Sequence, residues 1–204
     1  MSANLHIRAA NSNDRTVIRS LAENTWPEAY GKIISQEQIR YMLDMIYSND
    51  ALLEQMQKGH QFYLAELNDQ PIGFASVSEE GNQGCKLNKL YILPTIQKSG
   101  AGKALLQKVI AYTKEKNHTR LFLQVNKQNP AKDFYARMGF TIAEEVKLDI
   151  GNGFFRLLEV FKQAFPLFAN GVTVELHLIF RKGARPSVFD FFRKIVQDAF
   201  FFVT

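Results

Sequence analysis

The order of elements predicts an α/β fold, with a mixed sheet covered by helices on both faces. Three observations carry this. Gln61–Leu67 and Ile72–Ser78 are apolar runs joined by Asn68-Asp69-Gln70-Pro71, the composition of a hairpin connection. Arg120–Val125 is apolar almost throughout, as expected of a strand covered on both sides. Between them, the run ending at Leu93 leads through Gln97-x-x-Gly100-x-Gly102 into Leu105, Leu106, Val109 and Ile110 at helical spacing.

Leu5–Ala9 alternates and predicts a first strand. Ser12, Asn13 and Asp14 are capping residues, followed by Val17, Ile18, Leu21 and Ala22 on one helical face. Trp26-Pro27-Glu28-Ala29-Tyr30-Gly31 is expected to interrupt that helix. Ser35-x-x-Gln38 is a capping box ahead of Ile39, Met42, Leu43 and Ile46. A short helix is expected over 49–57, then the hairpin, a polar loop over 79–84, and a strand ended by Pro94, which has no N–H for a ladder. After the helix to about Lys116 and strand 120–125, Pro130 opens a helix over Ala131–Met138 that stops at Gly139. Thr141–Ile150 is the last strand of the body.

The chain has 204 residues, 46% of them hydrophobic and 22% charged, enough to bury a core in one sizeable domain. Its net charge of +5 is not gathered into basic runs with interleaved aromatics, so no nucleic-acid partner is expected. A single cysteine, Cys85, excludes an intramolecular disulfide and a cysteine-rich metal site. No secretory leader or membrane-length apolar run is seen, so a cytoplasmic protein without a membrane partner is expected.

In the glycine turn, two glycines let the backbone turn tightly and let a ligand come close. The helix start behind them carries roughly +0.5 of a charge and suits phosphate. Lys98 and Lys103 add full charges. Taken alone, the stretch is equally an ordinary turn before a helix.

Tyr91-Ile92-Leu93-Pro94 before Gln97-x-x-Gly100-x-Gly102, and Asn126-x-x-Asn129 before Phe134-Tyr135-x-x-x-Gly139-Phe140, occur in the order and separation that resemble the GCN5-related N-acetyltransferase (GNAT) superfamily over residues 5–150. Thr25-Trp26 to Tyr30, Gln38–Met45 and Leu87–Ile92 are more narrowly similar to bacterial PaiA-type spermidine/spermine N-acetyltransferases.

The resemblance implies a mostly antiparallel sheet splayed at its centre and acetyl-CoA as co-substrate. It implies that the backbone of Gln97, Lys98, Ser99, Gly100, Ala101, Gly102 and Lys103 cradles the pyrophosphate. Leu90, Tyr91 and Ile92 pair with the pantetheine arm, and a backbone N–H near Ile92 polarises the thioester. The resemblance implies a further cofactor contact from the loop after strand 120–125, for which Asn126, Asn129 and the Gln128 between them, where relatives often have Asn, are the candidates. Tyr135 stands where the family's general acid stands; the alternative for it is a core aromatic. The acceptor is expected to be a small primary amine, foremost a polyamine, attacking directly. A protein N-terminus or lysine is the second acceptor class, and a module that binds acetyl-CoA without turnover is the third reading. Many relatives carry a carboxylate on the central strand, and Asn88 occupies that position here. Glu79, Glu80, Glu66 and His60 are the candidate substitutes.

Residues 154–204 hold 12 of the 17 phenylalanines and have no likeness to the family beyond the first few positions. This tail is an extension that covers the body or forms a homodimer contact, or it reflects a coding frame shifted after Phe155 that loses the native last strand. Val172–Phe180 alternates like a strand, and Ser187-x-x-Asp190 could cap a helix.

Overall fold

The computed structural model describes residues 4–174, apart from 33, 127, 128, 130, 152, 153, 166, 170 and 171. The capped helix expected after Ser187 and the second half of the 172–180 strand lie outside the described residues. Strand β1 (Leu5–Ala9) leads into helices α1 (Arg15–Tyr30), α2 (Gln36–Tyr47) and α3 (Asn49–Gln57). Strands β2 (Gln61–Leu67), β3 (Gln70–Glu79) and β4 (Cys85–Ile92) follow, then α4 (Ala101–Glu115), β5 (Arg120–Asn126) and α5 (Lys132–Arg137). Strands β6 (Thr141–Gly151) and β7 (Phe154–Ala164) complete a seven-stranded sheet ordered β1-β2-β3-β4-β5-β7-β6. Two short strands, β8 (Leu167–Ala169) and β9 (Val172–Val174), pair with each other. In the large sheet only β4 and β5 run parallel.

Each face of the sheet has its own core. On one, Ala75, Val77, Leu87, Leu90 and Ile92 pack with Leu105, Leu106 and Val109 of α4 and Tyr135 of α5. On the other, Phe62, Phe74 and Tyr91 pack with Trp26, Tyr30, Ile39, Tyr47 and Leu52 of α1–α3. The mixed α/β architecture with helices on both faces is therefore the one the sequence predicts.

Three expectations are corrected. Helix α1 is not interrupted at Trp26 but runs to Tyr30 with Pro27 inside it. Pro27 lies in the last turn, where its missing N–H leaves one carbonyl without a helical donor. The buried side chains of Trp26 and Tyr30, with ring centroids 4.5 Å apart, hold the turn in place. The hairpin turn is two residues, not four: Asn68 and Asp69 have φ of 50° and 63°, a pair of left-handed residues that matches strand twist, so Pro71 already belongs to β3. Finally, Thr141–Ile150, which falls in β6, is not the last strand of the sheet. β7 begins at Phe154 and inserts between β5 and β6, pairing with β5 from Arg120↔Ala164 to Asn126↔Leu158. Phe161 and Phe165 are buried in the α4-side core. The first residues of the tail thus form an interior strand over 154–164.

Candidate active site

The glycine turn forms as the residue types dictate. Lys98 (φ 67°) and Gly100 (φ 84°) are both left-handed, and Gly100 is the N-cap of α4. Among the described residues nothing stands within 4 Å of where a Gly100 Cβ would be, so the conformation, not crowding, calls for glycine there. Ser99 Oγ accepts from the Ala101 N–H at 3.3 Å. The first helical bond runs from the Ala104 N–H to the Gly100 carbonyl, so the Gly102 and Lys103 N–H groups point out of the helix end. Gln97, Lys98, Ser99, Gly100 and Lys103 are exposed. A Cβ on Gly102 would meet Ile92, Leu90 and Phe134 at 3.8–3.9 Å, which places Gly102 against β4 and α5. Alternating left-handed residues, outward N–H groups and two lysines suit a pyrophosphate.

Beside this turn the sheet opens. β4 and β5 share the rungs Cys85↔Leu121 and Lys86↔Phe122, and then diverge. β4 stays paired to β3 as far as Ile92, and β5 stays paired to β7 as far as Asn126. The gap therefore lies between β4 and β5 alone. Its backbone polarity follows from β3. The Leu93 N–H donates to Ile72 O at 2.8 Å, so by strand alternation the polar groups of Tyr91 also face β3, while those of Leu90 and Ile92 face the gap. Gly73 agrees, because a Cβ on it would fall on the Tyr91 carbonyl oxygen. Of the three residues expected to offer backbone to a ligand, the geometry suits Leu90 and Ile92. Tyr91 instead sends its side chain toward α1, where its hydroxyl lies 3.3 Å from that of Tyr30.

Tyr135 is 1% exposed, in a ring cluster with Phe134, Phe140 and Phe161 at centroid distances of 5.3, 5.7 and 5.9 Å. Burial, and then the neighbouring Tyr91, push its phenol well above the usual range, so it holds its proton at neutral pH. Asn129 is buried and spends its Oδ1 on the Ala131 N–H at 2.8 Å, ordering the start of α5. Asn126 ends β5 at the mouth of the gap; its side chain and Gln128 lie outside the described residues.

Asn88 sits at a bulge. Ser76 faces Lys89 and Val77 faces Leu87, so Asn88 is the extra residue of β4, just past the last rung shared with β5. It is 3% exposed, and its Nδ2 donates to Ser78 Oγ at 2.8 Å and to Lys86 O at 3.3 Å. The four candidate bases separate cleanly. Glu66 is bound to Arg8 at 2.8 Å toward the β1 edge. Glu79 faces the end of α4, where a hydrogen bond with His118 and the charge of Lys116 lower its pKa. Burial, then Lys89, Lys86 and Lys58, lower the His60 pKa to about 3, leaving a neutral and very weak base. Glu80 alone connects to the bulge, accepting from Ser78 Oγ at 3.0 Å. Ser78 was not foreseen; the signal was two serines, Ser76 and Ser78, on one face of an otherwise apolar strand. No His, Cys, Asp or Glu cluster among the described residues could hold a metal, and no helix among them is long and apolar enough to cross a membrane.

This geometry has relatives. The family model of the acetyltransferase (GNAT) domain matches residues 32–155. The chain is 30% identical over 131 residues to an uncharacterised N-acetyltransferase of Mycobacterium bovis, covering 63% of this chain and 84% of that one. It is 26% identical over 146 residues to a spermidine N(1)-acetyltransferase of Thermoplasma acidophilum, covering 69% and 90%. A solved structure of the PaiA N-acetyltransferase of Thermoplasma acidophilum, in complex with coenzyme A, superposes with a TM-score of 0.67 at 23% identity over 79% of this chain and 99% of that one. The chain belongs to the GNAT acetyltransferase family and is an acetyl-CoA-dependent N-acetyltransferase of that type.

Proposed function

We propose that the acceptor is a small primary amine, a polyamine foremost, acetylated by direct attack within the gap between β4 and β5. The observation that carries this is the end of the β4–β5 ladder at Lys86↔Phe122, next to a glycine turn whose donors point outward. The likeness to a spermidine acetyltransferase favours the polyamine.

The turn Gln97–Lys103 holds the pyrophosphate through its amides and the two lysines. Leu90 and Ile92 offer N–H and C=O groups to the amide-rich pantetheine arm, in the manner of an added strand. In this reading the Ile92 N–H polarises the thioester carbonyl; one such donor contributes about 3 kcal/mol of transition-state stabilisation. Tyr135 gives the departing thiolate its proton. The α1–α2 segment, with Glu28 and Glu37 exposed, shapes the acceptor side. Coenzyme A thiol release with spermidine, set against peptides bearing a free α-amine, tests the reading. Faster turnover of spermidine supports it, and turnover of the peptides alone overturns it.

A further inference from the structure

The bulge that places Asn88 at the closed end of the gap also ties it to a carboxylate on the protein surface. Each link in that chain has a fixed direction. The Lys86 carbonyl can only accept, so the Asn88 group facing it at 3.3 Å is the NH2, which also donates to Ser78 Oγ at 2.8 Å. Asn88 Oδ1 is therefore turned away from both partners. The Glu80 carboxylate can only accept, so the Ser78 hydroxyl proton points to Glu80 Oε1 at 3.0 Å. Asn88 and Ser78 are buried, while Glu80 is half-buried and reaches solvent.

We propose that Asn88, Ser78 and Glu80 form the proton exit for the acceptor amine, with Asn88 orienting the amine and Glu80 receiving the proton. The proposal rests on the amine-acceptor reading above. An alkylammonium hydrogen-bonded to Asn88 Oδ1 passes one proton across a water to Ser78 Oγ, and Ser78 passes its own hydroxyl proton to Glu80, which releases it to solvent. The amine nitrogen keeps its electron pair. That pair forms the C–N bond as the C–S bond breaks, and the second proton lost from nitrogen replaces the one that Tyr135 gives to the thiolate. The exit explains how a chain with Asn88 where a carboxylate was expected can use an amine that is protonated at neutral pH. The charged and titratable groups around this end of the sheet include Lys86 and Lys89 of β4, Lys58 after α3, His60 before β2, Glu79 with Lys116 and His118, Arg120 against the 81–84 loop, and Cys85, which feels Glu79, Lys116 and Glu80.

The test compares wild type with Glu80→Gln and Ser78→Ala, using the alkylamine that wild type acetylates fastest, across pH 6.5 to 10. An alkylamine with a pKa of about 10.4 is almost wholly protonated at pH 7 and half neutral near pH 10. A proton exit therefore predicts a loss in kcat/KM of about 100-fold in each variant at pH 6.5, shrinking to under about threefold at pH 10. Acetyl-CoA Kd stays at the wild-type value, which shows that the variants fold. A loss that is the same at every pH assigns Ser78 and Glu80 a packing role and overturns the proposal, as does no loss at all. If wild type itself acetylates no amine, the acceptor reading fails and the exit falls with it. If wild type is active while the variants show a flat loss, only the exit fails.

Discussion

Lys86 of β4 and Phe122 of β5 are the last residues of their strands to stand opposite each other. Beyond them, Leu90 and Ile92 turn backbone polar groups toward space that none of the described strands fills, while each strand keeps its outer partner. Unpaired polar backbone inside a sheet is uncommon because each such group lacks a hydrogen bond. A gap with one closed end and a row of donors and acceptors suits an amide-rich ligand.

Gly100 is the first point of attack. Its φ of 84° strains any side chain, yet a methyl group would meet none of the described residues within 4 Å. Gly100→Ala should therefore fold, lose about 1 kcal/mol of stability, and bind acetyl-CoA several-fold more weakly by isothermal titration. Gly100→Asn, which tolerates the left-handed region better, should recover part of both.

Gly73 makes the opposite case. Its conformation is ordinary, but a Cβ would fall on the Tyr91 carbonyl oxygen and crowd Ile92. Gly73→Ala is expected to destabilise by about 2 kcal/mol, a fall in Tm of about 4–8 °C for a chain of this size. Thermal unfolding followed by circular dichroism checks it. An unchanged Tm contradicts the close approach of β3 and β4.

Much of this was legible in the sequence, and the parts that were not have physical reasons. Strand and helix identities follow from local periodicity, and Ser35 and Gln38 cap α2 reciprocally at 3.2 and 3.3 Å as their spacing predicts. The glycine turn was legible because its chemistry is local. Pro27 misled because a local rule met a tertiary override: buried Trp26 and Tyr30 hold the helix past it. The place of β7 between β5 and β6 was hidden because pairing order is non-local, and phenylalanine-rich composition says nothing about register. Asn88 was recognisable as a departure, but the serine tying it to Glu80 depends on a bulge that only the β3–β4 register reveals.

His60 gives a pH signature. Burial, followed by Lys89, Lys86 and Lys58, lowers its pKa to about 3 from the ordinary value near 6.5. Between those values the unfolded chain binds a proton that the folded chain resists, so stability rises with pH through this window and is lost on acidification toward pH 3. The Tm of wild type should fall more steeply from pH 6.5 to pH 4 than that of His60→Gln. Parallel curves contradict a neutral, buried imidazole.

Tyr135 is tested by removing one oxygen. Tyr135→Phe keeps the ring cluster with Phe134, Phe140 and Phe161, so Tm should barely move. Without the proton donor, kcat should fall about 100-fold while acetyl-CoA Kd holds. Because the wild-type phenol keeps its proton well above neutrality, kcat should show no loss from Tyr135 ionisation between pH 6 and 9. Unchanged kcat in the variant assigns Tyr135 to packing alone.

In the proposed mechanism acetyl-CoA lies in the gap between β4 and β5 with its phosphates at the glycine turn. Residue-resolved amide hydrogen exchange, with and without acetyl-CoA, tests it most directly. New protection is expected at Leu90, Ile92, Gly102 and Lys103, with little change at Tyr91, whose N–H already faces β3. Acetyl-CoA binding with no added protection at Leu90 and Ile92 would contradict it.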